Sequence, residues 1–450
     1  MTGSFWLLAV LIISVLFIIL GTTRLRLHPF LVLLAASYIT GALAGLHLTD
    51  IAVAIARGFG DIMAYIGIVI VLGTMIGVIL EKSNAAIKLA ELVLKVVGKR
   101  YPALAMSLIG YIVSIPVFCD SAYVILSSLK KSLVFKTGKP SVALSIALAT
   151  GLYATHTFVP PTPGPIAAAG NLGLENQLGL VILIGLPVAA IAMLAGYAWA
   201  SFAGRNYTTS EDYDSFDDSR KEPINLPSAT KSLLPILLPI VLIAIRSVIT
   251  WPSQPEGTGI IYTFFSFAGQ PVNALFIGLL SAFMLFPSFN RRTLTGWIED
   301  GIKASAPILL ITGAGGAYGT ILRETMIGDT LGRMLAEYRL GIFLPFIIAA
   351  AFKTAQGSST VSLVATSALI APLLASIGLD SLNGKLLAVM ATGAGAMTIS
   401  HANDSYFWVV TQFSGMDVKT GYKSHTVGSL IQGISSMMFI YTLSVFFCMT

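Results

Sequence analysis

From Ala149 to Pro165 the chain reads Ala-Thr-Gly-Leu-Tyr-Ala-Thr-His-Thr-Phe-Val-Pro-Pro-Thr-Pro-Gly-Pro, closing an apolar run that begins near Ser141. The run is long enough for a membrane helix, yet four prolines and His156 arrive where such a helix should still be regular. Proline lacks the backbone donor and clashes with the preceding turn, so polar backbone groups are freed, and lipid has no partner for them. Broken backbone at that depth is tolerated where it is buried in protein or lines a wet cavity, in transporters the substrate site. The alternative is a span that ends at Phe158, followed by an external proline loop.

That argument needs a membrane, and composition supplies it. Hydrophobic residues make up 55% of the 450 and charged residues only 11%, against roughly 25% charged in soluble domains. Apolar runs of about 20 residues, enough to cross a hydrocarbon core, recur along the whole chain. The formal charge of +6 fits basic cytoplasmic loops and argues against nucleic acid. Cys119 and Cys448 lie far apart in apolar contexts and read as packing residues, without disulfide or metal spacing. No basic residue precedes the first apolar run, and Arg24 and Arg26 follow it; this is the reverse of a secretory signal and predicts a first span with its N-terminus outside.

Spans are expected at 4–22, 28–46 and 62–80, with a short amphipathic linker at 51–60. A basic cytoplasmic segment follows (Lys82, Lys88, Lys95, Lys99, Arg100), then the apolar stretch Ala103 to Leu129, then a second basic segment (Lys130, Lys131, Lys136, Lys139). One crossing cannot leave both basic flanks on the cytoplasmic side, but a re-entrant hairpin over 103–130 can. Its tip would be Ser114 to Ser121, broken at Pro116; one long kinked span is the competing reading. The broken span at 141–157, a span at 179–201 and a polar linker complete the first half. The second half is expected to hold spans at 232–250 and 265–287, an amphipathic segment at 291–303, and a span at 305–322. A second hairpin over 341–376, interrupted by Lys353 to Thr360, and spans at 383–402 and 427–448 complete it.

A shift of 242 residues (319 minus 77) lays Gly77-Val78-Ile79-Leu80 on Gly319-Thr320-Ile321-Leu322, Gly73 on Gly315, and Ala149-Thr150-Gly151 on Ala391-Thr392-Gly393. Five spans on each side of the linker make the second copy inverted. The expected fold is therefore an all-α polytopic membrane protein of two inverted five-span repeats, each with a re-entrant hairpin and a broken helix, of elevator type. The first repeat covers 1–202 (hairpin 103–130), a cytoplasmic linker 203–231, and the second repeat 232–450 (hairpin 341–376). The hairpin tips would meet near the midplane, the architecture of alternating-access carriers.

The converging polar set is poor in charge. Half-helix N-termini attract a carboxylate, and Ser, Thr, Asn and Gln suit a polyhydroxy acid. Candidate substrate contacts are Ser121, Thr155, His156, Thr157, Thr162, Gln356, Gly357, Ser358, Ser359, Thr360, Ser400, His401 and Asn403. Candidate proton-coupling groups are Asp120, His156, His401 and Asp404, because ionisable residues at membrane depth mark substrate or proton paths. Each has a plainer role open to it. Hydroxyls glue helices together, Asp120 would cap its half-helix, and the histidines would only donate hydrogen bonds. Lys353 would pair with a substrate carboxylate or with Asp120, or snorkel to the interface.

Four segments together resemble the gluconate permease family of bacterial inner-membrane proton symporters, within the ion transporter superfamily. They are Ile115 to Ser121, Thr155 to Pro165, Gln356 to Thr360 and Ile399 to Ser405, and the likeness runs nearly end to end. The resemblance implies proton-coupled uptake of gluconate or a related sugar acid through an elevator-like movement, and a homodimer joined through its scaffolds. Relatives carry D-serine or keto sugar acids, and the superfamily includes sodium-coupled carboxylate carriers, so sodium stands as the other coupling ion. No cofactor or metal is expected. A membrane enzyme is disfavoured by the absence of a His-Glu-x-x-His motif and of a nucleophile with a paired base.

Overall fold

The computed structural model describes residues 2–98, 100–212, 226–249, 259–325, 341–401 and 404–448, and the regular elements within them are helices. The centre is α8 (Ser141–Phe158), every residue of which is buried. Packed against it are α6 (Pro102–Val113), α7 (Cys119–Thr137) and α10 (Leu178–Asn206), with α17 (Leu382–Ala396) and α20 (Val427–Cys448) reaching it from the second half. Small residues let these backbones approach. At Gly151 a Cβ would stand 2.2 Å from the carbonyl oxygen of Ser107, and at Gly110 one would stand 2.5 Å from the backbone nitrogen of Leu152. The two helices therefore touch backbone to backbone.

The N-terminal elements are α1 (Thr2–Thr23), α2 (Pro29–Leu43), α3 (Leu48–Ile62), α4 (Ile68–Lys82) and α5 (Ala85–Val97). The expected short linker at 51–60 is the amphipathic α3, joined to α4 through a π-helical turn at Met63–Gly67. Between the halves, α3 and α4 both pack on α14 (Ile298–Glu324), where Ile51, Ala54 and Ile55 meet Ala317 and Ile321. The basic stretch after Lys82 is not a plain segment. Left-handed Asn84 (φ 60°) starts α5, bent 74° from α4, which buries Ala86, Leu89 and Ala90 and leaves its lysines on the other face.

The first hairpin is α6 and α7, with the tip at Ser114–Phe118. Arg100 and Lys139, which flank it, line one cavity, so the chain returns to the side it left. After α8 the backbone breaks over Val159–Thr162, with a cis Pro160–Pro161 bond, and resumes as α9 (Pro163–Asn171). Val159 and Thr162 are buried, so an exposed proline loop is not what forms. The polar linker begins ordered: Glu211 meets buried Lys130 at 2.6 Å, and Asp212 accepts from the Ser141 N–H at 2.6 Å. Residues 213–225 lie outside the described residues.

Further on come α11 (Ala229–Ile249), α12 (Ile260–Ala268) and α13 (Pro271–Ala282). The expected span at 265–287 is two pieces bent by 78° at Gly269 to Pro271, where proline begins the new helix. Conversely, the amphipathic segment 291–303 and the span 305–322 are one rod, a π-helical turn at Arg292–Trp297 running into α14, with Pro307 inside it. The second hairpin is α15 (Phe343–Gln356) and α16 (Ser359–Ile370), turned at Gly357 with φ +89°. The expected span 383–402 stops early, at the Ala396 end of α17. The chain resumes as α18 (Ser405–Gln412), then α19 (Val418–Gly421), a π-helical turn and α20.

Among the described residues five helices are long and apolar enough to cross a membrane, or up to seven if each bent pair is one span. The ten expected spans are thus not ten continuous rods. The span 265–287 is divided at Gly269 to Pro271, and 383–402 stops at Ala396.

The glycine contact gives a first test. Gly151→Ala should destabilise by about 1–3 kcal/mol, as overpacking does, and lower the melting temperature of the purified protein. Gly60→Ala, at a helical position with no atom within 4 Å of the new Cβ, should melt no lower than the parent.

Candidate functional site

Three of the four chain breaks and the end of α8 open onto one cavity of about 230 Å³. Its wall holds Phe118, Cys119 and Asp120 from the first tip, Ser358 to Val361 from the second, and Asp404, Ser405 and Tyr406 from the second broken helix. Tyr153 and His156 complete it from α8, and Pro307, Ile308 and Ile311 of α14 form an apolar side. The space lies below the roughly 300–1,000 Å³ of drug-sized ligand pockets and suits a small molecule.

One residue of the wall, Asp404, belongs to a buried ion pair. Lys353, in the last turn of α15, donates to Asp404 Oδ2 at 2.6 Å and to the Gly357 carbonyl, and both side chains are almost wholly buried. Asp404 is the N-cap of α18: its Oδ1 accepts from the Tyr406 N–H at 3.1 Å, while Oδ2 also accepts from Ser400 Oγ. The lysine thus fastens the second tip to the second break. Its ammonium stands 5.5 Å from the centre of the Tyr153 ring. Of the partners considered from sequence for Lys353, neither Asp120 nor an interfacial position is realised.

With that pair neutral overall, the field in the cavity comes from helix ends and from the carboxyl group of Asp120. The first residues of α7, α16 and α18 all line it. Each helix start presents backbone N–H groups without an intrahelical acceptor and the positive end of its dipole. Three such ends aimed at one space favour an anion. Two side-chain atoms on the same wall, Asp120 Oδ1 and His156 Nδ1, are buried with no hydrogen-bond partner. Leaving such an atom unsatisfied costs about 1–3 kcal/mol, a cost that a ligand, water or proton would relieve. Asp120 is not the cap considered for it, since Phe118 is the N-cap of α7. His156 stacks on Tyr153 at 6.4 Å and lies 6.1 Å from Phe118.

The remaining candidates divide. Ser358, Ser359 and Thr360 line the cavity, and Ser358 caps α16 by accepting from the Val361 N–H. Gly357 supplies the carbonyl that holds Lys353. Ser400 lies behind Asp404, and His401 points elsewhere, its Nε2 at 2.8 Å from the Thr354 carbonyl. Thr155 donates to the Tyr111 carbonyl, Thr157 to that of Tyr153 and Thr162 to that of Val159, so these three hydroxyls tie backbone and do not line the cavity. Ser121 hydrogen-bonds Glu81. Asn403 and the side chains of Gln356 and Cys448 lie outside the described residues, while Cys119 is buried as expected.

Residue-level reading missed the aromatic and histidine support. Tyr406 donates to the Ala149 carbonyl at 2.8 Å and packs on Tyr153, and His425 Nε2 is 3.1 Å from Ser400 Oγ. His425 sits between polar residues just before an apolar run, a local pattern that carries no sign of the partner it meets.

The profile of the GntP family permeases matches residues 6–446. The chain belongs to that family. Over 428 residues it is 39% identical to an uncharacterized permease of Haemophilus influenzae, covering 91% of this chain and 86% of that one. A gluconate permease of Pseudomonas aeruginosa is 29% identical over 451 residues and 99% of each chain. The D-serine transporter DsdX of Escherichia coli is 31% identical over 450 residues, again 99% of each. In fold, the chain is similar to the YdaH transporter of Alcanivorax borkumensis (TM-score 0.67, 14% identity, 94% of this chain and 99% of that one). This GntP family permease is a multi-pass membrane protein, and its named relatives are transporters.

The ion pair can be tested by double substitution. Lys353→Met alone should cost roughly 3–5 kcal/mol by stranding a buried carboxylate, whereas pairing it with Asp404→Leu should recover much of that loss. Thermal melts of the two single variants and the double variant would measure the coupling.

Proposed function

We propose that this permease is a secondary active transporter that imports gluconate or a related sugar acid together with protons across the bacterial inner membrane. The observation that carries the reading is the cavity itself. Three helix N-termini offer a site for a carboxylate, the hydroxyls of Ser358, Ser359 and Thr360 suit a polyhydroxy chain, and Asp120 brings a buried carboxylate oxygen with no protein partner. In the proposed cycle Asp120 takes a proton from the outer solution, substrate and proton cross together, and the proton leaves to the cytoplasm.

Alternating access by an elevator-like movement of two inverted repeats, 1–202 and 232–450 around the linker 203–231, belongs to the same proposal. It is supported by helix bounds that recur at the interval of 242. Pro29 and Pro271 begin α2 and α13, Lys82 and Glu324 end α4 and α14, and Pro163 and Ser405 begin α9 and α18. A zwitterionic amino acid is the second reading, favoured by the D-serine relative; the unpartnered Oδ1 of Asp120 would then face the ammonium group.

Purified protein in liposomes, given radiolabelled gluconate or D-serine under an inward proton gradient, an inward sodium gradient or neither, decides among these. Proton-driven gluconate accumulation abolished by a protonophore is the expected result. Sodium-driven accumulation would move the coupling to the hydroxyl-rich tip, and D-serine uptake alone would select the second reading. Asp120→Asn should end accumulation against a gradient while leaving gluconate exchange between equal pools. Ser359→Ala should weaken gluconate binding about three- to tenfold, the value of one hydrogen bond.

A further inference from the structure

Away from the central cavity, a second one of about 400 Å³ opens where the start of α6, the start of α8 and the last turns of α10 meet. Its polar lining is Arg100, Lys139 and Arg205 with Tyr101, Tyr197 and Ser201; among the described residues no carboxylate lines it. Three like charges gathered around one hollow repel one another, a cost that an anion bound among them would relieve. Among the described residues none of the three forms an ion pair. Glu211 and Asp212, which follow Arg205 closely in the chain, are already committed to Lys130, Lys131 and the start of α8. The Arg100 guanidinium lies 5.7 Å from the centre of the Tyr101 ring, which leaves its N–H fork open to an acceptor.

The rest of the hollow is apolar: Pro102, Ala103, Ala143 and Leu144 line it beside the cations. On α10, Leu194 and Phe202 stand 48% and 53% exposed on either side of Tyr197 and Ser201, as residues facing acyl chains do. Tyrosine with basic residues at a helix end marks the headgroup level of a membrane. A ligand here meets positive charge at one end and lipid-facing hydrocarbon at the other.

We propose that this hollow binds the phosphodiester headgroup of an anionic glycerophospholipid, with Arg100, Lys139 and Arg205 on the phosphate oxygens and the acyl chains lying along Leu194 and Phe202. Basic pockets between membrane helices bind such headgroups. The inference is independent of which substrate the transporter carries. Free phosphate shares the headgroup's charge but not its chains, so the two sources separate experimentally.

The test is native mass spectrometry of the full-length protein, released from detergent and titrated with phosphatidylglycerol, with phosphatidylcholine, or with inorganic phosphate. Phosphatidylglycerol adducts are expected to persist at detergent concentrations that strip phosphatidylcholine, with phosphate adding nothing. Each cation near an anionic lipid surface contributes about fivefold in affinity, so Lys139→Gln should weaken phosphatidylglycerol binding about fivefold and Arg100→Gln/Lys139→Gln/Arg205→Gln about a hundredfold. The control Arg291→Gln/Arg292→Gln, at exposed positions elsewhere, should leave it unchanged. Equal retention of both lipids, an equal loss in the control, or unaltered binding by Lys139→Gln would overturn the proposal, and phosphate adducts that compete with the lipid would reassign the site to a soluble anion. If the triple variant does not fold, the single variant and the control carry the result.

Discussion

Backbone polar groups that leave a helix in the interior of a membrane protein must be satisfied by the protein itself, and much of this structure answers that requirement. At the second break the N–H of Ser400 donates to Ser429 Oγ at 3.0 Å, and its carbonyl accepts from Thr426. His401 is 2.8 Å from the Thr354 carbonyl at the adjoining hairpin end, and Tyr153 reaches toward the Ala396 carbonyl at the end of α17. Lys353 holds the Gly357 carbonyl at the second tip, and Ser114 donates to the Val117 carbonyl at the first. These side chains come from both halves. The breaks, and therefore the cavity they surround, exist only in the assembled fold.

The same requirement explains why polar residues in this chain are poor guides to the site when taken singly. Thr155, Thr157 and Thr162 spend their hydroxyls on carbonyl groups. Ser359, Thr360, Asp120 and His156 face the cavity instead. Composition does not separate the two groups, because a hydroxyl that ties a helix and a hydroxyl that waits for a substrate are the same chemical group. Position relative to a void separates them.

Charge is handled in the same economical way. Two buried lysines, Lys130 and Lys353, are each matched by one carboxylate, Glu211 and Asp404. Either cation alone at that depth would be costly. The first pair anchors the start of the linker beside α8, and the second anchors the second hairpin tip beside the cavity. Asp120 is the ionisable group at the cavity that keeps a buried oxygen out of any such pairing.

The membrane class, the broken helix at Val159–Thr162, both hairpins and the convergence of their tips were legible in the chain itself. They rest on local, covalent facts: a proline has no N–H, a run of apolar residues has no place in water, and basic flanks stay on one side. The bend at Gly269 was not read, because the apolar runs on either side of it look continuous, and the helix that follows Asn84 was not read, because the lysines on its outer face made the stretch look like a plain basic segment. Nor were the Lys353–Asp404 pair, the Tyr406 bond to Ala149 or the place of His425 behind Ser400. Those partners lie 51, 257 and 25 residues apart. Such meetings depend on how helices pack at atomic distance, and periodicity in one segment holds no information about the partner another segment brings.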